Sequence, residues 1–183
     1  ILKSIDNGEN WENIGLVDSH HIGKVKINPK NPDEIIVASL GHLYSSNSER
    51  GIFKTTDGGV SWKKTLYIDD NTGIIDLDID PNNFKIQFAS SWQKERKAWN
   101  FSGNGKKSGI YKSIDSGDTW TLISDADSGF PNGEGVGRIG LAVYDNKTIY
   151  AVIDNQFRRP KSKKISKTND LTKNDFESMS KED

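Results

Sequence analysis

Ser4-Ile5-Asp6-Asn7-Gly8-Glu9-Asn10-Trp11, Thr55-Thr56-Asp57-Gly58-Gly59-Val60-Ser61-Trp62 and Ser113-Ile114-Asp115-Ser116-Gly117-Asp118-Thr119-Trp120 are three copies of one pattern, (S/T)-x-D-x-G-x-x-W. At ordinary residue frequencies a match has a chance on the order of 10⁻⁵ per position, so three in one short chain are a repeat. The copies start at residues 4, 55 and 113, a period that suits four short strands per unit. Each copy reads as a tight turn. The Asp carboxylate accepts backbone N–H groups, the Gly takes a positive φ, and the Trp buries a large face on a neighbouring sheet. A calcium ligand or catalytic acid has no reason to occur in three equivalent places. Asp6, Gly8, Trp11, Asp57, Gly59, Trp62, Asp115, Gly117 and Trp120 are therefore structural.

The flanks repeat as well. Gly51-Ile52-Phe53-Lys54 and Gly109-Ile110-Tyr111-Lys112 lead into the second and third turns, with Ile1-Leu2-Lys3 before the first. After the turns come Val25 and Ile27, then Ile75, Leu77 and Ile79, then Ile139, Leu141 and Val143, spaced by two as on the buried face of a strand. A polar turn and a second apolar run follow each, at Ile35 to Leu40, Ile86 to Ser90 and Thr148 to Ile153. Four strands with the signature turn between the third and fourth describe a blade of an all-β propeller. At 51 to 58 residues per unit, 183 residues make little more than three blades, fewer than the roughly four of a closed ring. The expectation is a partial propeller over residues 1–160, a segment of something longer, with the remaining blades or other subunits as partners. Residues 161–183 are expected to form a basic linker and a short helix beginning near Thr172.

Composition narrows the classes of function. Hydrophobic residues are 33% and charged residues 28%, too lean for a deep helical core but enough for thin sheets. The net charge of −1 advertises no nucleic-acid partner, and no apolar run approaches a membrane span. Without cysteine there are no disulfides, thiolate nucleophiles or sulfur-bound zinc.

The repeated turn is the Asp-box, or BNR repeat. With Ile22-Gly23-Lys24-Val25, Asn28-Pro29-Lys30-Asn31-Pro32, Ala38-Ser39-Leu40-Gly41-His42-Leu43 and Arg138-Ile139-Gly140-Leu141-Ala142-Val143, the chain resembles large bacterial BNR-repeat proteins described as sortilin N-terminal-like or glycosyl hydrolase-like. The resemblance covers nearly the whole chain and implies an exported parent: periplasmic, secreted or surface-attached. It predicts the fold well and the function poorly, because the same box serves enzymes, receptors and assembly factors.

In an up-and-down blade the boxes mark one rim, and the second-to-third loops and inter-blade segments emerge on the other. That loop-rich rim is where binding is expected. It gathers His42, Tyr44, Arg50, Trp92, Arg96, Trp99 and Arg138, a polar surface bearing aromatic rings. The expectation is a non-catalytic binding or scaffold segment whose ligand is glycan or peptide, with Trp92 and Trp99 stacking and the arginines meeting anionic groups. Alternatively, the two Trp side chains pin their own long loop. A second class, glycoside hydrolysis, needs two facing carboxyl groups, for which Asp69, Asp70, Asp125, Asp127 and Glu134 are available. Phe157-Arg158-Arg159-Pro160 departs from the Arg-Ile-Pro-type motif of sialidases and follows the third box instead of preceding the first. No cofactor and no metal are expected. His20 and His21 are adjacent on an extended segment, so at most one would join His42.

Overall fold

In a computed structural model of the chain, which describes residues 1–156, twelve of fourteen strands make two complete four-stranded blades flanked by two half-blades, and the other two form an inserted hairpin. β1 (Leu2–Lys3) and β2 (Glu12–Asn13) are one antiparallel pair. A 3-10 turn at Val17–Ser19 leads to the first complete blade: β3 (Ile22–Asn28), β4 (Asn31–Ser39), β5 (Gly51–Thr55) and β6 (Lys63–Leu66), antiparallel in chain order. The second comprises β7 (Thr72–Ile79), β8 (Gln87–Gln93), β11 (Gly109–Ser113) and β12 (Thr121–Leu122). A small hairpin, β9 (Glu95–Lys97) and β10 (Asn100–Ser102), is inserted between its middle strands. β13 (Val136–Val143) and β14 (Ile149–Asn155) begin the next. Blades packed side by side as an open array are the partial propeller expected from the repeat. The basic linker at 161–183, its expected helix and the Phe157–Pro160 motif lie outside the described residues. Among the described residues no helix is long and apolar enough to cross a membrane.

The apolar runs are continuous because the second strand of a blade is covered on both faces. Along β4, Ile35 and Val37 join Phe53 in one cluster with Trp62, Leu16 and Ile22. Their neighbours Ile36 and Ala38 turn the other way, meeting Ile74, Leu77 and Ala89 of the next blade, with Trp120 packed against them. A third cluster joins Ile110 to Val136 and Ile139. Each seam is thus an inter-blade core of branched side chains, each burial contributing about 1.5–3 kcal/mol.

Three departures from simple alternation have local causes. The β7–β8 register slips between Ile74 and Asp76, so Ile74, not Ile75, joins Leu77 in the fully buried set. Similar slips interrupt β3 between Ile22 and Lys24 and β13 between Val136 and Ile139. A bulge adds a residue and shifts later side chains to the opposite face. Val25 and Ile27 remain about half-exposed, because their neighbours Lys24 and Lys26 take the side facing the second blade.

Along the inner strands the blades are tied by a polar ladder. Lys26 Nζ lies 2.8 Å from Asp78 Oδ1 and Lys24 Nζ 3.6 Å from Asp76 Oδ1. The other oxygens of those carboxylates accept the backbone N–H groups of Leu141 (2.9 Å) and Val143 (2.8 Å) on β13. Burial raises the Asp78 proton affinity, but Lys26 and the Val143 amide outweigh it and hold the carboxyl below its ordinary range.

The three boxes have the same hydrogen bonds. The leading hydroxyl donates to the Asp (Ser4 at 2.8 Å, Thr55 at 2.6 Å, Ser113 at 2.8 Å). It also accepts the amide of the box Gly: Gly8 (2.9 Å), Gly59 (3.1 Å) and Gly117 (2.9 Å). Each Asp then accepts the amide four residues on, from Asn10, Ser61 or Thr119. The Gly has φ between 80° and 99°, and the residue before it, Asn7, Gly58 or Ser116, is also left-handed. Trp62 packs toward the preceding half-blade, its Nε1 donating to Ile14 O at 2.6 Å, and Trp120 does so toward Thr65 of the first blade at 3.2 Å. Trp11, 61% exposed, has no such neighbour among the described residues.

These bonds favour the charged carboxylate. Asp6 is held down to about 2, chiefly by the Asn10 amide, Asp115 to about 2, chiefly by the Thr119 hydroxyl, and Asp57 lower still by Ser61. A depressed folded-state pKa contributes stability above the ordinary value of 3.8, and that stability is lost as pH falls toward 2. The urea midpoint is therefore expected to decline between about pH 4 and pH 2. The decline should be shallower in the Asp6→Asn/Asp57→Asn/Asp115→Asn variant. An identical acid limb in that variant would assign the dependence to other carboxylates.

Candidate functional site

The two rims differ as the topology requires. On the box rim, the β3–β4 turn, the Pro81–Lys85 turn and Ser116 border a cleft of about 590 Å³. Of the charged groups that line it, Lys26 is paired with Asp78, and Glu34 with Asn28 (2.6 Å) and Lys54 (3.4 Å).

The opposite rim is built around one buried arginine. Arg50, 2% exposed, ends the β4–β5 loop and turns its guanidinium inward. Nη1 donates to Leu40 O at 2.6 Å, and Nη2 donates to His42 O at 3.0 Å and Ser45 O at 2.9 Å. A planar fork can hold several carbonyls at once, which a lysine cannot. Gly41, at φ 79°, lets the chain pass over that guanidinium; Asn47 bridges the His42 amide and the Asp18 carbonyl. Sequence reading set Arg50 among the ligand contacts; the fold uses it to shape the loop.

The loop so fixed presents His42 and Tyr44. Arg96, on β9, lies 5.8 Å from the Tyr44 ring centroid and 5.6 Å from that of Phe101, on β10. Both distances are within cation–π range. Trp92 belongs to β8, not to the loop: its Nε1 donates to Gly103 O at 2.7 Å, and its ring meets Phe101 edge-on at 6.2 Å. It ties the insertion to the strand, the role the alternative reading gave to both tryptophans. Trp99, in the β9–β10 turn, is 84% exposed. Arg138 is exposed on β13 and makes no described contact with this cluster. The fold therefore brings together His42, Tyr44, Arg50 and Arg96, places Trp99 at the hairpin tip, and leaves Trp92 beneath.

Lys94 and Phe101 were not singled out by the sequence. Lys94 is 4% exposed and donates to His42 O at 3.1 Å. Burial first, then the charges of Arg50 and Arg96, lower its pKa to about 8. Nothing in a Gln-Lys-Glu-Arg run signals a buried lysine, because its burial depends on the loop of the preceding blade.

Asp18, His20 and His42 also converge, with the His42 Nε2 3.1 Å from Asp18 Oδ1. The residue types suit a metal, but the geometry does not. The two imidazoles are stacked, centroids 3.8 Å apart and planes 20° from parallel, so their in-plane lone pairs cannot meet at one point. His42 Nδ1 is paired with Ser45 at 2.8 Å, and its carbonyl carries two cations. For carboxylate chemistry the rim is no better furnished. Asp69 is held by Lys107 (2.5 Å), Asp70 by the Tyr67 hydroxyl, and Glu134 by Lys106 (3.3 Å). Each described carboxylate with a resolved shift is moved toward easier ionisation, whereas a general acid needs the reverse.

A family model, Sortilin-Vps10 (sortilin, neurotensin receptor 3), matches residues 1–182. No curated protein sequence matches. Among solved structures, an ancestral GH74 enzyme is similar at a TM-score of 0.59 and 20% identity, over 82% of this chain and 18% of that one. The GH74 enzyme of Niastella koreensis is similar at 0.41 and 19%, over 74% of this chain and 20% of that one. The chain thus spans about a fifth of either structure, and the likeness to the first is one of fold.

Proposed function

The chain belongs to the Sortilin-Vps10 family, and from that premise we propose that it is a non-catalytic binding segment of a larger exported propeller protein, whose loop-rich rim takes glycan. The observation that carries the reading is the group of exposed rings: Tyr44, on the loop held by Arg50, and Phe101 set about Arg96, with Trp99 exposed at the tip of the same hairpin. Flat, open aromatic faces suit the C–H faces of sugars, while side chains of a peptide need pockets, and the cleft of about 590 Å³ is on the other rim. What favours binding over hydrolysis is that, of the five candidate carboxylates, Asp69, Asp70 and Glu134 are each engaged by a neighbouring donor, while Asp125 and Asp127 lie exposed on a loop.

Titration of the whole chain with a panel of oligosaccharides, followed by tryptophan fluorescence, tests this. At least one should bind, and Trp99→Ala with Tyr44→Ala should weaken it about tenfold, as expected for two stacking contacts of about 0.5–1.5 kcal/mol each. Unchanged affinity in a folded double variant, or release of reducing ends from the bound sugar, would sink the proposal.

A further inference from the structure

Resting on the glycan reading above, we propose that the ligand is an acidic glycan, one bearing a carboxylate or sulfate on its sugars, and that Arg96, backed by Lys94 and Arg50, recognises the anionic group. The three side chains form a cationic corner in which no carboxylate makes a direct ion pair. Arg50 Nη2 and Lys94 Nζ share a single acceptor, the His42 carbonyl, at 3.0 and 3.1 Å. None of the ion pairs among the described residues includes Arg50, Lys94 or Arg96. Arg50 Nε is buried without a hydrogen-bond acceptor.

A cluster that served the fold alone would be expected to hold a carboxylate, since an unpaired charge out of water is costly. Asp69 and Asp70 act on the charge of Arg50 from a distance, and each is already engaged, by Lys107 and by the Tyr67 hydroxyl. The lowered pKa of Lys94 has burial as its first cause and the positive charges of Arg50 and Arg96 as its next, the mark of a site that lacks an anion. Of the three cations Arg96 is the exposed one, and it has no described hydrogen-bond acceptor for its side chain. Tyr44 and Phe101 beside it supply the surface on which a sugar ring lies while its acid meets the guanidinium.

The test uses the full chain, titrated calorimetrically with trigalacturonate, a chondroitin sulfate tetrasaccharide, neutral cellotriose and an acidic tetrapeptide. At least one acidic sugar should bind about tenfold or more tighter than cellotriose, with the margin shrinking as salt rises. The first two probes distinguish carboxylate from sulfate. Arg96→Gln should abolish the margin between acidic and neutral sugars, Arg96→Lys should keep part of it, and Lys94→Met should reduce it in a protein that still folds. Equal affinity for acidic and neutral sugars overturns this inference and leaves the glycan reading standing. Binding of neither sugar class overturns both, and tighter binding of the peptide overturns both in favour of a peptide ligand.

Discussion

Gly51→Ala is expected to cost about 3–5 kcal/mol and to lower the melting temperature by about 10 °C or more, or to prevent folding. Gly51 opens β5 at φ 116°, where any side chain is strained, and it is fully enclosed. A Cβ there would also run into the carbonyl oxygen of Leu66 on the adjoining strand β6. Backbone strain of about 1–3 kcal/mol is therefore joined by overpacking of similar size, with no flexible side chain to give way. Gly129, at φ 76° with nothing within 4 Å, isolates the first effect. Gly129→Ala should cost about 1 kcal/mol, and urea unfolding that finds the two variants equal would refute the collision.

Arg50→Met should cost about 3 kcal/mol or more, although it keeps the volume and removes a buried charge. Replacing an entire buried ion pair by apolar groups can be neutral. Here the partners are the main-chain carbonyls of Leu40, His42 and Ser45, which stay behind; His42 O keeps Lys94, but Leu40 O and Ser45 O lose this donor, and each orphaned acceptor costs about 1–3 kcal/mol unless water reaches it. Arg50→Lys should recover less than half, since one ammonium cannot serve three carbonyls. Hydrogen exchange should rise across residues 41–49 and little elsewhere, and glycan binding should weaken with it as Tyr44 loses its place beside Arg96. Stability of Arg50→Met within about 1 kcal/mol of the parent would show that the loop is held by something else.

How much of this was legible in the sequence follows the range of each interaction. The box is a closed set of bonds within eight residues, so its Ser or Thr, Asp and Gly are visible as a pattern, and with them the blade order and the choice of rim. The bulges in β3, β7 and β13 are not, because Ile75 and Ile74 are the same residue type and only the partner strand decides which is buried. Tyr44 and Arg96 belong to loops of different blades, and their meeting depends on the seam between them. Lys94 looks like any solvated lysine in a charged run. Trp92 was read as a loop residue because the apolar run ends near Ser90, but pairing with Gly73 carries the strand to Gln93.

The ladder on the inner strands has a direction. Lysines of the first blade face carboxylates of the second, and those carboxylates face bare amides of the third. Exchanging the first two blades would set Lys24 and Lys26 against those N–H groups, donor against donor, and leave Asp76 and Asp78 with neither of their present neighbours. The boxes are interchangeable, but the ladder is not: it works as an address that fixes the sequence of the repeats, so that near-identical units assemble in one order only.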